Sequence, residues 1–98
     1  MPMFLVEHTH TPDTCPTKNL DMVRALAGHV TDANAAKYGV KILADFVREV
    51  DHNLILVLEA DTPDKVATFA VPFLGAGPVT IKQGETCEQV AKACLGQL

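Results

Sequence analysis

The stretch Glu7-His8-Thr9-His10-Thr11-Pro12-Asp13-Thr14-Cys15-Pro16 gathers two of the four histidines and one of the three cysteines of this chain. His8 and His10 stand two apart, and side chains at i and i+2 of a strand share a face, so the two imidazoles lie side by side. Cys15 comes just before an expected helix start, where free backbone N–H groups and the positive end of the helix dipole favour an anionic sulfur. Neutral imidazole and thiolate suit zinc, nickel or copper, and the donor types alone do not rank the three. His-x-His with a cysteine five residues on matches no standard zinc-finger spacing.

Those residues need elements to position them. Phe4, Val6, His8 and His10 alternate with Leu5, Glu7 and Thr9, the period of a strand over residues 3–10. Pro12 and Pro16 end any ladder and force an extended loop. Thr17 is the expected N-cap of an amphipathic helix from Lys18, whose apolar Leu20, Val23, Leu26 and Val30 recur at three- and four-residue steps. That helix either runs on to Tyr38, with Gly39 just past its end, or is restarted at Thr31-Asp32.

Val40 to Asp51 alternates as a half-exposed strand does, whereas Leu54 to Leu58 is apolar at every position and is expected to be buried on both faces. Asp51-His52-Asn53 between them is the turn of an antiparallel hairpin. Thr62-Pro63-Asp64 opens a helix through Val66, Phe69 and Ala70 that Pro72 shortens. Gly75-Ala76-Gly77 reads as a turn, Pro78 to Lys82 as a last strand ended by Gly84, and Thr86-Cys87-Glu88-Gln89 as the capping box of a C-terminal helix through Val90, Ala93 and Leu95.

The order β-α-β-β-α-β plus a tail helix predicts an α+β, ferredoxin-like fold with an antiparallel sheet, one domain over residues 1–98. The right-handed crossover rule places the third strand between the first and the second. The end of strand one, the start of helix one and the hairpin after strand two then share one edge, so His8, His10, Cys15 and His52 are expected to converge. His29 lies mid-helix, away from that edge. Helices cover one sheet face, and a second copy is expected on the other, apolar face, giving a homodimer. Glu7 points to that face and is a candidate for the interface.

Composition narrows the partners. Apolar residues make up 48% and charged residues 20%, an ordinary globular balance. A formal charge of −4 with 8 Lys and Arg and no basic cluster excludes nucleic acid and an anionic membrane surface as main partners. The first apolar run is too short for a signal sequence, and no run approaches the roughly 20 residues that span a bilayer. A soluble cytoplasmic protein is the expectation. Its cysteines stay reduced, with Cys87 and Cys94 as small core residues.

Met1-Pro2-Met3-Phe4-Leu5-Val6-Glu7, the length and the element order over residues 3–82 resemble the dimeric α+β-barrel superfamily. They are similar in particular to small bacterial families of unknown function that open with Met-Pro-x-Phe-Leu-Val-Glu and include nickel-binding members. The resemblance implies a compact dimer with a metal or small ligand near the end of the first strand. His8-Thr9-His10 followed by Cys15-Pro16 departs from that pattern, so the identity of a metal does not carry over.

These residues are compatible with three functions. The first is a metal-binding protein using His8, His10 and Cys15, with His52 or a water completing the shell. The second is an isomerase, lyase or oxygenase acting on a small molecule, with His8 or His10 as general base and Cys15 as nucleophile or redox group. It requires a cavity of a few hundred Å³ beside the histidines. The third is a structural or interaction protein without a site. No phosphate-binding glycine loop, Ser-His-Asp signature or catalytic carboxylate pair is present.

Overall fold

Alternation along β1 (Met3–Thr9) turns Phe4, Val6 and His8 to one face, where all three are buried. A computed structural model describing residues 1–96 places this strand inside a four-stranded antiparallel sheet. The other strands are β2 (Val40–Arg48), β3 (Asn53–Ala60) and β4 (Val79–Gly84), in the order β2-β3-β1-β4. The third strand therefore lies between the first and second and is antiparallel to both, as the crossover rule requires. Cross-strand pairs Phe4–Leu58, Val6–Leu56 and His8–Leu54 set the inner face.

Among the described residues, four helices accompany the sheet: α1 (Leu20–His29), α2 (Asp32–Lys37), α3 (Pro63–Ala70) and α4 (Cys87–Leu95). The core joins Phe4, Val6, Leu56, Leu58 and Ala60 of the sheet to Val66, Phe69 and Ala70 of α3 and Ala35 of α2. Burial of each large side chain contributes about 1.5–3 kcal/mol. On β3 only alternate residues are fully buried, because the second face has no covering element. Leu56 and Leu58 pack under the helices, while Ile55 and Val57 stay half-buried on the open side.

Two helices, not one, join β1 to β2. Val30 leaves the helical conformation, and Thr31 caps α2 by accepting from the Asn34 N–H. Gly39 sits just past α2 with φ 73°, the left-handed conformation its missing Cβ permits. Asn19, not Thr17, caps α1, its Oδ1 accepting from the Asp21 and Met22 N–H groups. Pro63 opens α3 as expected, and Pro72 falls in a short 3₁₀ turn (Val71–Phe73) that ends it.

His29 proves to be structural. Its ring stacks on Phe69 at 4.5 Å, its Nε2–H donates to the Phe69 carbonyl at 2.6 Å, and its Nδ1 accepts from Asn34 Nδ2 at 3.1 Å. It fastens the end of α1 to α3 with both ring nitrogens satisfied.

At the other end of the chain the capping box forms in full, with reciprocal bonds between Thr86 and Gln89. Cys87 and Cys94, expected in the core, are exposed, since α4 buries none of its residues and the core is closed by α2 and α3 without it. Among the described residues, no helix is long and apolar enough to cross a membrane.

Candidate metal centre

Strand register assembles the site. Thr9 pairs with Asn53, and one step beyond, the His10 N–H donates to the His52 carbonyl at 3.1 Å. The strand expected over residues 3–10 ends at Thr9, but this extra bond holds His10 as His52's cross-strand neighbour. His52 closes the hairpin loop, residues 49–52, at φ 52°, and its N–H donates to the Glu49 carbonyl at 3.2 Å. Histidine tolerates this left-handed conformation better than most residues, and such local strain concentrates at functional positions.

Two further devices fix the end of β1. A Cβ at Gly77 would lie 2.0 Å from the Thr9 carbonyl oxygen, so only glycine lets the turn before β4 press against this backbone. The Thr9 N–H donates to the Pro78 carbonyl at 3.3 Å in the same contact. After His10, Thr11 and Thr14 exchange backbone and hydroxyl bonds in a tight turn that leads to Cys15. Cys15 is buried, with Sγ 2.9 Å from Thr17 Oγ1. Directly after Cys15 the chain makes one 3₁₀ turn (Pro16–Lys18), and α1 begins only at Leu20, so the expected helix-dipole contribution at Cys15 has no helix to supply it.

The ligand atoms of His10, Cys15 and His52 all lie within 4.8 Å of one another. A tetrahedral ion with metal–nitrogen bonds near 2.0–2.1 Å and a metal–sulfur bond near 2.3 Å holds donors roughly 3.5 Å apart. Side-chain rotations on the order of an ångström close that difference.

His8 stands behind this trio. It is 1% exposed, packs on Phe73 with ring centroids 5.4 Å apart, and places Nε2 3.3 Å from His10 Nδ1. The Pro78 carbonyl acts on the same ring but does not satisfy its Nδ1 with an aligned hydrogen bond. A proton on His8 Nδ1 makes His8 Nε2 an acceptor for His10 Nδ1–H. His10 Nε2 is then a free lone pair.

Among the described residues, the buried side-chain nitrogens and oxygens without a hydrogen-bond partner are His8 Nδ1, His10 Nε2 and His52 Nδ1. All belong to this cluster. Burial lowers the pKa of His8 below the ordinary 6.5, and the neighbouring His10 lowers it further, with the Pro78 carbonyl opposing. Burial also lowers that of His10, and His52 adds to it. Burial thus favours the neutral form of His8 and His10, the form in which imidazole ligates metals.

A cleft of about 440 Å³ opens beside the cluster, and His8, His10 and Cys15 form part of its wall. Most of the rest is apolar, from Val23, Leu26 and Ala27 of α1 and Val30 just past its end to Leu54 and Phe73. The α1 stripe signals this wall in the sequence, where it reads equally well as core. No family model matches the chain, and no curated protein or solved structure shows significant similarity to it.

Histidines whose folded pKa lies below 6.5 bind fewer protons in the folded than in the unfolded state. Stability of the metal-free protein is therefore full above about pH 6.5 and declines as the pH falls below it, levelling off once the folded pKa values are passed. Urea unfolding between about pH 7.5 and 5.5 is expected to show that decline, and His8→Leu/His10→Leu to flatten it. An equal slope in the double variant would assign the decline to other groups.

Proposed function

We propose that this chain is a transition-metal-binding protein holding one ion through His10, Cys15 and His52, with His8 orienting His10 from behind. The observation that carries the reading is the coincidence of the unpartnered buried nitrogens with the only clustered His/Cys donors found among the described residues. A buried polar group left without a partner costs about 1–3 kcal/mol, and a bound ion removes that cost for the nitrogens that ligate it. His8 and the Thr17 hydroxyl supply the outer hydrogen bonds that tune metal ligands.

The donor set suits zinc, nickel or copper, and it does not rank the three. Cys15, Cys87 and Cys94 are all free thiols, in keeping with a reducing cytoplasmic setting.

Dialysis of untagged protein against each metal, followed by a count of metal per chain, tests the proposal. One ion per chain is expected for the native protein, and loss of nearly all of it in His10→Ala, Cys15→Ala and His52→Ala. His8→Ala keeps the ion with affinity lowered about 10–100-fold, the usual effect of removing an outer partner. Unchanged binding by His10→Ala/Cys15→Ala contradicts the reading.

A second reading, acid–base chemistry by His8 or His10 on a small molecule, is favoured by the cleft, whose size falls within the range of small-molecule sites. Lowered histidine pKa values suit a general base at neutral pH. Turnover by metal-free protein would favour it over the metal centre.

We also propose a homodimer through the open sheet face. Leu5 pairs with Val57 there, Ala44 and Phe46 continue the face onto β2, and Phe46 is 52% exposed in the single chain. A second copy is the self-complementary cover for such a face. A charge at Val57 would be buried unpaired in that interface, so Val57→Asp is expected to yield monomer or aggregate while Asp45→Asn on β2 stays associated. Sedimentation decides it, and a well-folded dimer of Val57→Asp would remove the sheet from the interface.

A further inference from the structure

We infer that the metal centre and the adjacent cleft form one site for a small amphiphile, whose oxygen-bearing head takes a coordination position on the ion while its apolar body lies under α1. The inference rests on the metal reading and adds the class of ligand.

Three protein donors leave a tetrahedral ion one position short, the pattern of sites that exchange a ligand. His10 and Cys15 belong both to the donor trio and to the wall of the cleft, so an ion they hold borders that space. The space itself, at about 440 Å³, matches a small organic molecule.

Helix α1 supplies an independent observation. It carries an apolar stripe, yet none of its residues is buried, and Val23 on that stripe is 37% exposed. An amphipathic helix docked for stability alone would bury its stripe in the core. Here Leu26 packs in part against the core, while Val23 and Ala27 stay exposed on the cleft wall and keep apolar surface open next to the ion.

Charge selects the head group and its place. The cations and acids on the cleft wall, apart from histidine, are Arg48, Asp45 and Glu49 of β2 and the hairpin loop. Arg48 is paired with Asp51, which leaves the ion as the partner for an anionic head. Asp45 and Glu49 disfavour a polyanion such as a nucleotide. A carboxylate, hydroxamate or enolate on a hydrocarbon or aromatic body fits all three conditions.

Cobalt(II)-loaded protein makes the position visible through its d–d absorption. Acetohydroxamate and octanohydroxamate share a head and differ in their apolar body. Both are expected to alter the spectrum, with octanohydroxamate binding about a hundredfold more tightly because its chain is buried. Ala27→Trp, which fills the cleft, and Val23→Asp, at a half-exposed position, are each expected to retain one cobalt per chain and acetohydroxamate binding while losing that preference. Equal affinities for the two hydroxamates, or an unmoved spectrum with cobalt bound, overturn the inference and leave the metal reading standing. Absence of bound cobalt overturns both.

Discussion

The register of β1 against β3 is the constraint on which the other features of the molecule hang. It sets Phe4 against Leu58 and Val6 against Leu56, which fixes the buried face. The same ladder, extended by one bond past Thr9, delivers His10 to His52. A slip of one residue would turn Phe4, Val6 and His8 to the open face and separate the histidines together. Core and site are thus set by one pairing, and Gly77 reinforces it by letting the turn before β4 close on the Thr9 carbonyl.

Within this sheet the polar cluster is a costly feature. Three histidines sit at the end of an otherwise apolar face, two with basicity lowered by burial, and each has a buried nitrogen without a partner. His29 shows the contrast within the same chain, since both of its nitrogens are bonded and its ring is stacked. The fold that satisfies both nitrogens of half-buried His29 leaves His10 Nε2 and His52 Nδ1 without partners where these two residues converge on Cys15. The thiol of Cys15 in the same place completes a group of donors whose chemistry could hold a metal ion.

Much of this is legible in the amino-acid sequence, for identifiable reasons. Strand alternation in Phe4-Val6-His8, the proline and glycine breaks and the Thr86–Gln89 capping box are local signals, and the local structure obeys them. Topology then brings Cys15 and His52 to the end of β1. The remainder depends on tertiary detail. Asn19 and Thr17 are both good caps, and only the fold shows that the Thr17 hydroxyl is engaged with Cys15. The stripes of α1 and α4 look alike in sequence whether they meet a core, a cleft or solvent, so periodicity alone assigns Cys87 and Cys94 to a core that never reaches them. His8 and His10 stand two apart, but the strand ends at Thr9, and only the fold shows that the bond to His52 holds His10 in the donor trio with His8 behind it.

Whether an ion sits among His10, Cys15 and His52 is decided by X-ray absorption at the metal edge of zinc-loaded protein, because that measurement reads the donor atoms themselves. One sulfur near 2.3 Å and at least two nitrogens near 2.0–2.1 Å are expected, with the sulfur lost in Cys15→Ala. A shell of light atoms alone in the native protein, or a sulfur that persists in Cys15→Ala, would contradict the metal centre.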